Sequence, residues 1–509
     1  MKIQIFKIKT IYAVLILLWI VLGNVEGRRN VLKYKECDCN PDVHLLQDYI
    51  SINTSPGRDL RPAVDFLKRL GETQNIEVTV YEAKPNYPVV VFKWPGRDPN
   101  RRSILLLSHM DVVPACYEDG WTYDPFSGEI NDECEIVGRG TQDMKSFTIQ
   151  YFLALKNLKE NNVTLLRNVY MVVTPDGAAG SENGIALFVK SKAYKDLNVG
   201  FVLDRSIPNP NNQIFILNSD KTTIVFRIDC YNPSTSSAFL VNINVTAYGT
   251  CSKFFKSYEE YREEQYKILL KTGNPGAFTA INFVGDRTLL TYSTIPAHVA
   301  AFYTVYLAQN TSVANFNKII RSWAYEAGRN VTVSVVYEKN RVYATKADRS
   351  NPYWVAISET FNDLNIPINQ TSGYTTTDIT FVIETGVPGF GITPQRNTPI
   401  LVNGINERLS IPIFFEGIKI YERILRRIAN LRDDQVNDDP TVYLIKPRPA
   451  VDFWRRLAEE QGIEIKVYEC VPGYPLIVLK WPGSDPSLSS ILLLSHMDVE
   501  PANYKVYGF

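Results

Sequence analysis

Cysteine and histidine are scarce in this chain of 509 residues, which contains seven cysteines and four histidines. A low and odd cysteine count excludes a small scaffold held together by disulfides. Three kinds of pairing remain open, namely Cys116 with Cys134, Cys230 with Cys251, and Cys37 with Cys39 or Cys470. The spacing Cys37-x-Cys39 has no nearby histidine and does not match a zinc finger, so we expect no structural zinc site there.

An excess of charge of either sign is also missing. The 54 basic side chains equal the 54 acidic ones, so the formal net charge is zero. Without a basic field to hold a phosphate backbone, nucleic acid is not an expected partner. The hydrophobic and charged fractions, 45 % and 21 %, are ordinary for a globular protein and exclude collagen-like, coiled-coil and disordered chains.

Hydrophobic runs long enough to cross a membrane are absent from the sequence. The longest run, the twelve residues Ile11 to Leu22, follows three lysines and precedes the small-residue stretch that ends at Gly27. This is the layout of a secretory signal peptide, and the run is shorter than the roughly 20 apolar residues of a membrane span. We therefore expect residues 1–27 to be cleaved, leaving a protein without a membrane span that is secreted or in the ER lumen. An uncleaved signal anchor is the alternative.

Six Asn-x-Ser/Thr sequons agree with a glycoprotein of the secretory pathway. The acceptor positions are Asn53, Asn162, Asn244, Asn310, Asn330 and Asn369. Because an asparagine-rich sequence also produces sequons by chance, they support this localisation only weakly.

An internal repeat dominates the organisation of the chain. Arg61 to Pro114 returns at Arg448 to Pro501 with a constant offset of 387, and 36 of the 54 aligned positions are identical. A repeat at such a long spacing indicates one whole unit followed by the opening of another, rather than a solenoid. We expect an acidic, proline-bearing linker at 432–449 and a partial repeat at 450–509, which matches residues 63–122.

The first unit alternates buried-type strands with helices, which predicts an α/β fold. Examples are the strand Ser103 to Leu107, the helix Met144 to Leu158 and the strand Val199 to Leu203. From about residue 222 alternating strands with two helices replace this pattern. The expected domains are therefore an α/β domain of residues 41–221 and 339–430, interrupted by an α+β domain of residues 222–338.

Three polar motifs follow predicted buried strands, where open α/β sheets place their ligands. They are SHMDVVP at 108–114, GRGTQDMK at 138–145 and TPDGAAG at 174–180. His109 and Asp111 are two residues apart, so the carboxylate can orient the imidazole as it does for metal-bound histidines. The structural alternatives are a hydrogen-bonded loop histidine, a helix cap at Asp143 and a simple turn at 174–180.

With these motifs the sequence resembles the aminoacylase family, the N-acyl-L-amino-acid amidohydrolases among the dinuclear zinc metallopeptidases, which also include carboxypeptidase G and succinyl-diaminopimelate desuccinylase. The resemblance runs from about Pro41 to Ala429 and includes WTYDPF at 121–126, SNPYW at 350–354 and NTPILV…NERL at 397–409. It implies a mixed-sheet catalytic domain with an inserted lid that forms a homodimer. It also implies zinc-dependent hydrolysis of N-acyl-L-amino acids, a reaction of amino acid metabolism.

The resemblance assigns metal-site roles to three residues of this chain. His109 is implied as a zinc ligand, Asp111 as the catalytic aspartate that orients it, and Asp143 as the carboxylate that bridges two zinc ions. Other family positions carry residues that cannot play the family roles. Gly177 stands at the general-base glutamate, and Ala178 and Arg205 stand at carboxylate ligands. Ile405 stands at the last histidine ligand, Asn403 at the neighbouring histidine, and 234–237 (STSS) at the Gly-His-Ala-Ser of the lid.

These replacements predict an aminoacylase-like pseudoenzyme in which zinc is absent or weakly bound and the cleft binds an N-acyl amino acid or peptide. We hypothesise that the Arg205 guanidinium takes the place of the metal charge and contacts Asp143 or Asp111, since buried carboxylates without a partner are costly. Two alternatives are an active secreted amidohydrolase with a metal set drawn from Glu182 and Asp204, and a dimerising scaffold protein without a ligand.

Overall fold

The structure, a computed structural model, describes residues 40–286, 293–308, 311–339, 343–373, 377–432, 434–445, 454, 457–458, 461–471 and 474–480. The expected signal peptide, Cys37, Cys39 and the second-copy residues His496 and Asp498 lie outside these residues. The chain divides into two compact units, Met1–Ile445 and Lys446–Phe509. Within the described part, no helix is both long and apolar enough to cross a membrane.

The helices of the first unit are α1 (Pro41–Ser51), α2 (Arg61–Thr73), α3 (Lys145–Glu160), α4 (Ile185–Phe188), α5 (Lys192–Asp196), α6 (Ala247–Thr272), α7 (Val313–Ala327), α8 (Pro352–Asp363), α9 (Ile379–Ile383) and α10 (Ile411–Ile428). Its strands are β1 (Glu77–Glu82), β2 (Pro88–Trp94), β3 (Ser103–His109), β4 (Glu135–Val137), β5 (Val169–Thr174), β6 (Val199–Asp204), β7 (Ile214–Leu217), β8 (Thr223–Tyr231), β9 (Thr235–Ser236), β10 (Ala280–Asp286), β11 (Thr294–Ile295), β12 (His298–Tyr306), β13 (Val331–Lys339), β14 (Ala344–Thr345), β15 (Ile368–Thr371), β16 (Gly389–Ile392), β17 (Arg408–Ser410) and β18 (Leu444–Ile445).

An eight-stranded mixed sheet forms the centre of this unit, with the order β1-β2-β5-β3-β6-β16-β7-β15. Strand β3 is parallel to β5 and β6, whereas β2 is antiparallel to β5 and β16 is antiparallel to β7. Every residue of β3, β5 and β6 is buried, as expected for continuous apolar runs covered on both faces. The predicted α/β class with a mixed sheet is confirmed.

Helices cover both faces of the large sheet. On one face α1, α2, α3, α8 and α10 share the main hydrophobic core. On the other face α4, α5 and α9 form a second core with side chains of β2, β3, β5 and β6. The layering leaves the carboxyl ends of the parallel strands β3, β5 and β6 at a common edge, where the loops that follow them can meet.

A separate four-stranded antiparallel sheet, in the order β10-β12-β8-β13, has a core of its own. Its aromatic centre stacks Phe226 on Tyr303, whose ring centroids are 5.1 Å apart, and α6 and α7 contribute Phe254, Phe316 and Trp323. Because these helices and strands bury their apolar faces against one another, they form an α+β layer distinct from the large sheet.

The structure decides two of the cysteine pairings. Cys230 of β8 and Cys251 of α6 form a disulfide. Cys134 is also disulfide-bonded, but Cys116 has a free and exposed thiol, so the pairing of Cys116 with Cys134 is wrong. The pairings that involve Cys37, Cys39 or Cys470 lie outside the described side chains.

In the second unit, β19 (Glu464–Val471) pairs antiparallel with β20 (Tyr474–Lys480). The register aligns Glu464 with Lys480, and in the first unit β1 and β2 align Glu77 with Lys93. Each residue of the first pair is 387 positions after its counterpart in the second. The repeated sequence therefore forms the same hairpin in both copies.

Candidate active site

Strands β3, β5 and β6 of the large sheet lead into the motif at 108–114, the motif at 174–180 and Arg205, whereas the motif at 138–145 follows β4, which pairs with β17. The strands end at His109, Thr174 and Asp204. The structure brings His109, Asp111 and Asp143 together as the sequence motifs predict, although the last two are 32 positions apart in the sequence. Their roles as metal ligands and catalytic residue stay a prediction.

His109 lies between two aspartates and is almost completely buried. Its Nδ1 is 2.9 Å from the Asp111 carbonyl oxygen and 3.2 Å from Asp111 Oδ1, and its Nε2 is 3.1 Å from Asp143 Oδ1. Burial opposes protonation of the ring, but the hydrogen bonds and charges of the two aspartates outweigh burial and raise the pKa of His109 well above its usual range. Asp111 Oδ2 in turn accepts a hydrogen bond from the Ala179 main-chain N–H at 3.1 Å.

Arg205 supplies the positive charge at this site. Its Nε is 2.7 Å from Asp143 Oδ1, and the two side chains are only 12 % and 2 % exposed. Burial opposes ionisation of Asp143, but the charge of Arg205 and the hydrogen bond from His109 outweigh it and lower the pKa of Asp143 to about 2. The hypothesis that Arg205 contacts a carboxylate of the metal motif is confirmed.

A buried ion pair that the sequence motifs did not identify fixes the loop of Asp143. Arg139 Nη1 donates to Glu407 Oε2 at 2.7 Å, and both side chains are buried. Glu407 Oε1 accepts from the main-chain N–H groups of Gly140, Gln142 and Asp143 at 3.0, 2.7 and 3.3 Å. Burial raises the pKa of Glu407 to about 7, against the lowering effect of Arg139. The sequence signal was the single glutamate within NERL, a motif that we used only as part of the resemblance.

The two residues that the resemblance places at family histidines, Asn403 and Ile405, have different surroundings. Asn403, rather than Ile405, lies against Asp143, with its Nδ2 donating to Asp143 Oδ2 at 3.3 Å. The side chain of Ile405 is half exposed instead. Asn403 has a positive φ of 60°, and it is the residue of this loop that reaches the aspartate.

Gly177 leaves no room for a side chain at the position of the family's general base. A Cβ at residue 177 would lie 2.4 Å from both Cγ and Cδ2 of His109, far inside van der Waals contact. The imidazole therefore occupies the space in which the first atom of a glutamate side chain would stand.

We expect Gly177→Glu to lower the free energy of unfolding by about 1–3 kcal/mol, since it forces His109 or the loop to move. Ala179→Glu is the matched control, because residue 179 is exposed in the same loop and should change stability by less than about 0.5 kcal/mol. Urea unfolding of both variants measures the difference. Equal stability of the two variants would contradict the crowding at His109.

The remaining buried carboxylates near Arg205 are engaged by neutral donors. Asp204 accepts from the main-chain N–H groups of Arg205 and Ile379 at 2.7 and 2.9 Å, and burial raises its pKa to about 7. Asp378 accepts from the hydroxyls of Thr174 and Ser181. Each oxygen of these two carboxylates therefore accepts one hydrogen bond from a neutral donor.

The residues present do not fit a pair of zinc ions. A protein zinc site usually has four ligands of histidine, cysteine or carboxylate type. Within the described residues, no group of three or more such side chains is arranged to hold a metal ion. Asp143 Oδ1, the oxygen nearest His109, is instead shared with the Arg205 guanidinium.

Comparisons with known proteins agree with this fold. The sequence profile described as Peptidase family M20/M25/M40 matches residues 105–427. Aminoacylase-1 of Sus scrofa is 31 % identical over 395 residues, which are 77 % of this chain and 96 % of that protein. Aminoacylase-1 of Homo sapiens is 31 % identical over 398 residues, with the same coverage of 77 % and 96 %.

Solved structures show the same architecture at much lower sequence identity. Human carnosine dipeptidase 1 has a TM-score of 0.58 at 15 % identity, covering 79 % of this chain and 100 % of its own. The dipeptidase Dug1p of Saccharomyces cerevisiae has a TM-score of 0.60 at 14 % identity, covering 79 % and 97 %. The profile match and the identity to the aminoacylases show that this chain belongs to peptidase family M20/M25/M40, as an aminoacylase-like member.

Proposed function

We propose that this chain is a secreted aminoacylase-like protein that does not hydrolyse amide bonds and that binds an N-acyl amino acid or peptide in its cleft. The observation that carries the proposal is the buried contact of 2.7 Å between Arg205 Nε and Asp143 Oδ1. This contact replaces a metal–carboxylate bond with an ion pair inside the protein. The family is typically dependent on two metal ions, so the exchange affects the centre of its chemistry.

Electrostatics disfavour a metal ion beside Arg205. A cation about 4 Å from the guanidinium is repelled by about 4 kcal/mol per unit charge at an effective dielectric constant near 20. One zinc position would retain only His109 and Asp143 as protein ligands, and the other only Asp143, where four ligands are usual. Too few ligands and a repelling charge therefore act together against metal binding.

The residue that accepts the proton in the family reaction is also missing from this chain. When two zinc ions are bound, the family's chemistry polarises the scissile carbonyl and activates a water, and a glutamate accepts the proton of that water. Residue 177 is glycine here, and the His109 ring fills the space where a side chain at this position would begin. Loss of a general base alone costs about 10²–10⁴-fold in rate. Restoring metal binding would therefore not restore normal turnover.

Three features support secretion and association of two copies. The leader pattern at 1–27 and the disulfide Cys230–Cys251 are typical of an oxidising compartment. The strand β13 is at an edge of the four-stranded sheet and exposes Val335, Val336 and Tyr337. An apolar edge strand favours pairing with another chain, which supports a homodimer formed through residues 222–338.

An active enzyme with a different metal set has less support. Such a set would need Glu182 and Asp204, but Glu182 is exposed and the Asp204 oxygens accept hydrogen bonds from the main chain. A dimerising scaffold protein differs from the proposed protein only in that its cleft binds no ligand. The two are therefore distinguished by measuring ligand binding directly.

The test uses the full chain secreted from eukaryotic cells, with N-acetyl-methionine as the probe. We expect no hydrolysis with or without added zinc, while porcine aminoacylase-1 serves as the positive control. We also expect N-acetyl-methionine or a short N-acetylated peptide to raise the midpoint of thermal unfolding. Turnover at a rate comparable to the control would overturn the loss of catalysis. A flat thermal response to every probe would overturn binding in favour of the scaffold.

A further inference from the structure

A loop closed by the Cys230–Cys251 disulfide exposes an apolar patch. Five large apolar side chains in this loop are from 55 % to fully exposed: Phe239, Leu240, Ile243, Val245 and Tyr248. The segment 230–252 contains no charged residue. A concentration of exposed apolar side chains in one short segment normally marks a region that something covers.

The local backbone holds these side chains outward. Residues Ile243–Val245 form a single 3₁₀ turn immediately before α6. Thr246 begins α6, with its Oγ1 accepting from the Gly249 N–H at 2.9 Å and donating to the Ile243 carbonyl at 2.7 Å. A Cβ at Gly249 would lie 1.9 Å from the Ile243 oxygen, so the turn is packed directly on the helix backbone. Because the backbone faces the helix, the side chains of the turn face solvent.

At the centre of this turn is Asn244, the acceptor of the sequon Asn244-Val245-Thr246. Asn244 is exposed, and all five apolar side chains of the patch are within five residues of it in the sequence. The disulfide at the base of the loop indicates the oxidising compartment in which N-glycosylation also takes place. The sequon, the exposure and the uncovered patch therefore coincide at one residue.

We propose that Asn244 carries an N-linked glycan that covers this apolar patch. In the transfer, Asn244 Nδ2 bonds to the first sugar's C1 and releases one proton to water, while the bond from C1 to the diphosphate of a polyprenyl-linked oligosaccharide donor breaks and the polyprenyl diphosphate leaves with the bonding electron pair. The chain is modified as it enters the secretory lumen, before α6 forms, so the buried hydroxyl of Thr246 is no obstacle. The apolar faces of the sugars then pack over the rings of Phe239 and Tyr248.

Three variants of the secreted full chain test the site. Asn244→Gln removes the acceptor, whereas Thr246→Ser keeps both the sequon and the helix cap. Asn162→Gly removes an exposed sequon elsewhere, at a positive φ of 55° that glycine accepts without strain. Peptide mass spectrometry before and after enzymatic deglycosylation reports the occupancy of residue 244 in each variant.

We expect Asn244 to be occupied in the wild type and in Thr246→Ser, and the mass of one glycan to be lost in Asn244→Gln. Fluorescence of a dye that binds apolar surface should rise several-fold in Asn244→Gln but not in Asn162→Gly. An unmodified Asn244 in the secreted wild type would overturn the proposal, as would equal dye binding by the two variants or a dimer interface that buries the patch. This proposal shares the secretory location with the proposed function and requires that a homodimer formed through residues 222–338 leave the patch uncovered. Turnover of N-acetyl-methionine would leave it unaffected.

Discussion

Replacing Arg205 by alanine is expected to lower the free energy of unfolding by about 3–5 kcal/mol, the cost of leaving a buried charge without its partner. Asp143 would keep only His109 and Asn403 as side-chain partners, at 3.1 and 3.3 Å. The nearby carboxylates of Asp204 and Asp378 would also lose the cation that offsets their charge. Urea unfolding monitored by fluorescence measures the loss.

Two comparisons separate this effect from a general loss of packing. Arg61→Ala removes an exposed arginine whose ion pair with Asp59 is at the surface, and should change stability little. In the double variant Arg205→Ala with Asp143→Asn, the unpaired carboxylate is gone, so part of the stability should return. If Arg205→Ala were as stable as Arg61→Ala, or if the double variant were less stable than Arg205→Ala, the ion pair would not hold the site together.

Replacing Glu407 by alanine is expected to cost a similar amount, about 3–5 kcal/mol, because it leaves the buried Arg139 without its carboxylate. The main-chain N–H groups of Gly140, Gln142 and Asp143 would lose their common acceptor as well. Since these groups shape the loop that carries Asp143, the change should also disturb the Asp143–Arg205 contact. Chemical unfolding measures the first effect, and hydrogen exchange of residues 138–145 measures the second.

Glu407→Gln is the matched control for this prediction. The glutamine retains an acceptor oxygen of the same reach and removes only the charge, so it should lose clearly less stability than alanine does. Glu359→Ala, at an exposed ion pair with Arg427, should change little. An alanine variant no less stable than the glutamine variant would show that the acceptor oxygens of Glu407 do not order the loop.

The sequence predicts those elements whose pattern is local. The strand predicted from Ser103 to Leu107 is observed as Ser103–His109, and the helix predicted from Met144 to Leu158 as Lys145–Glu160. The short strands Ile214–Leu217 and Gly389–Ile392 were not predicted, because four residues carry little periodicity and two of those in the second strand are glycines. Their places in the sheet depend on distant neighbours, which one sequence does not show.

In the candidate site, too, some contacts could be predicted from the sequence and others could not. Arg205 could be predicted to meet Asp143 because an arginine stands where the resembled family has a carboxylate, so its charge needs a partner nearby. The pair of Arg139 with Glu407 joins residues 268 positions apart, and nothing local in either segment indicates it. The contact of Asn403 with Asp143 depends on the direction of one loop residue, which residue spacing alone does not fix.

Zinc content is the measurement that tests the replacement of the metal by Arg205 most directly. The full secreted chain is equilibrated with excess zinc and then freed of unbound metal. Its zinc content is measured by inductively coupled plasma mass spectrometry beside an aminoacylase-1 treated identically. We predict far less than one zinc ion per chain for the wild type and also for Arg205→Glu, which restores one carboxylate but neither the base nor the other ligands. One or two tightly held zinc ions per wild-type chain would contradict the replacement of the metal by Arg205.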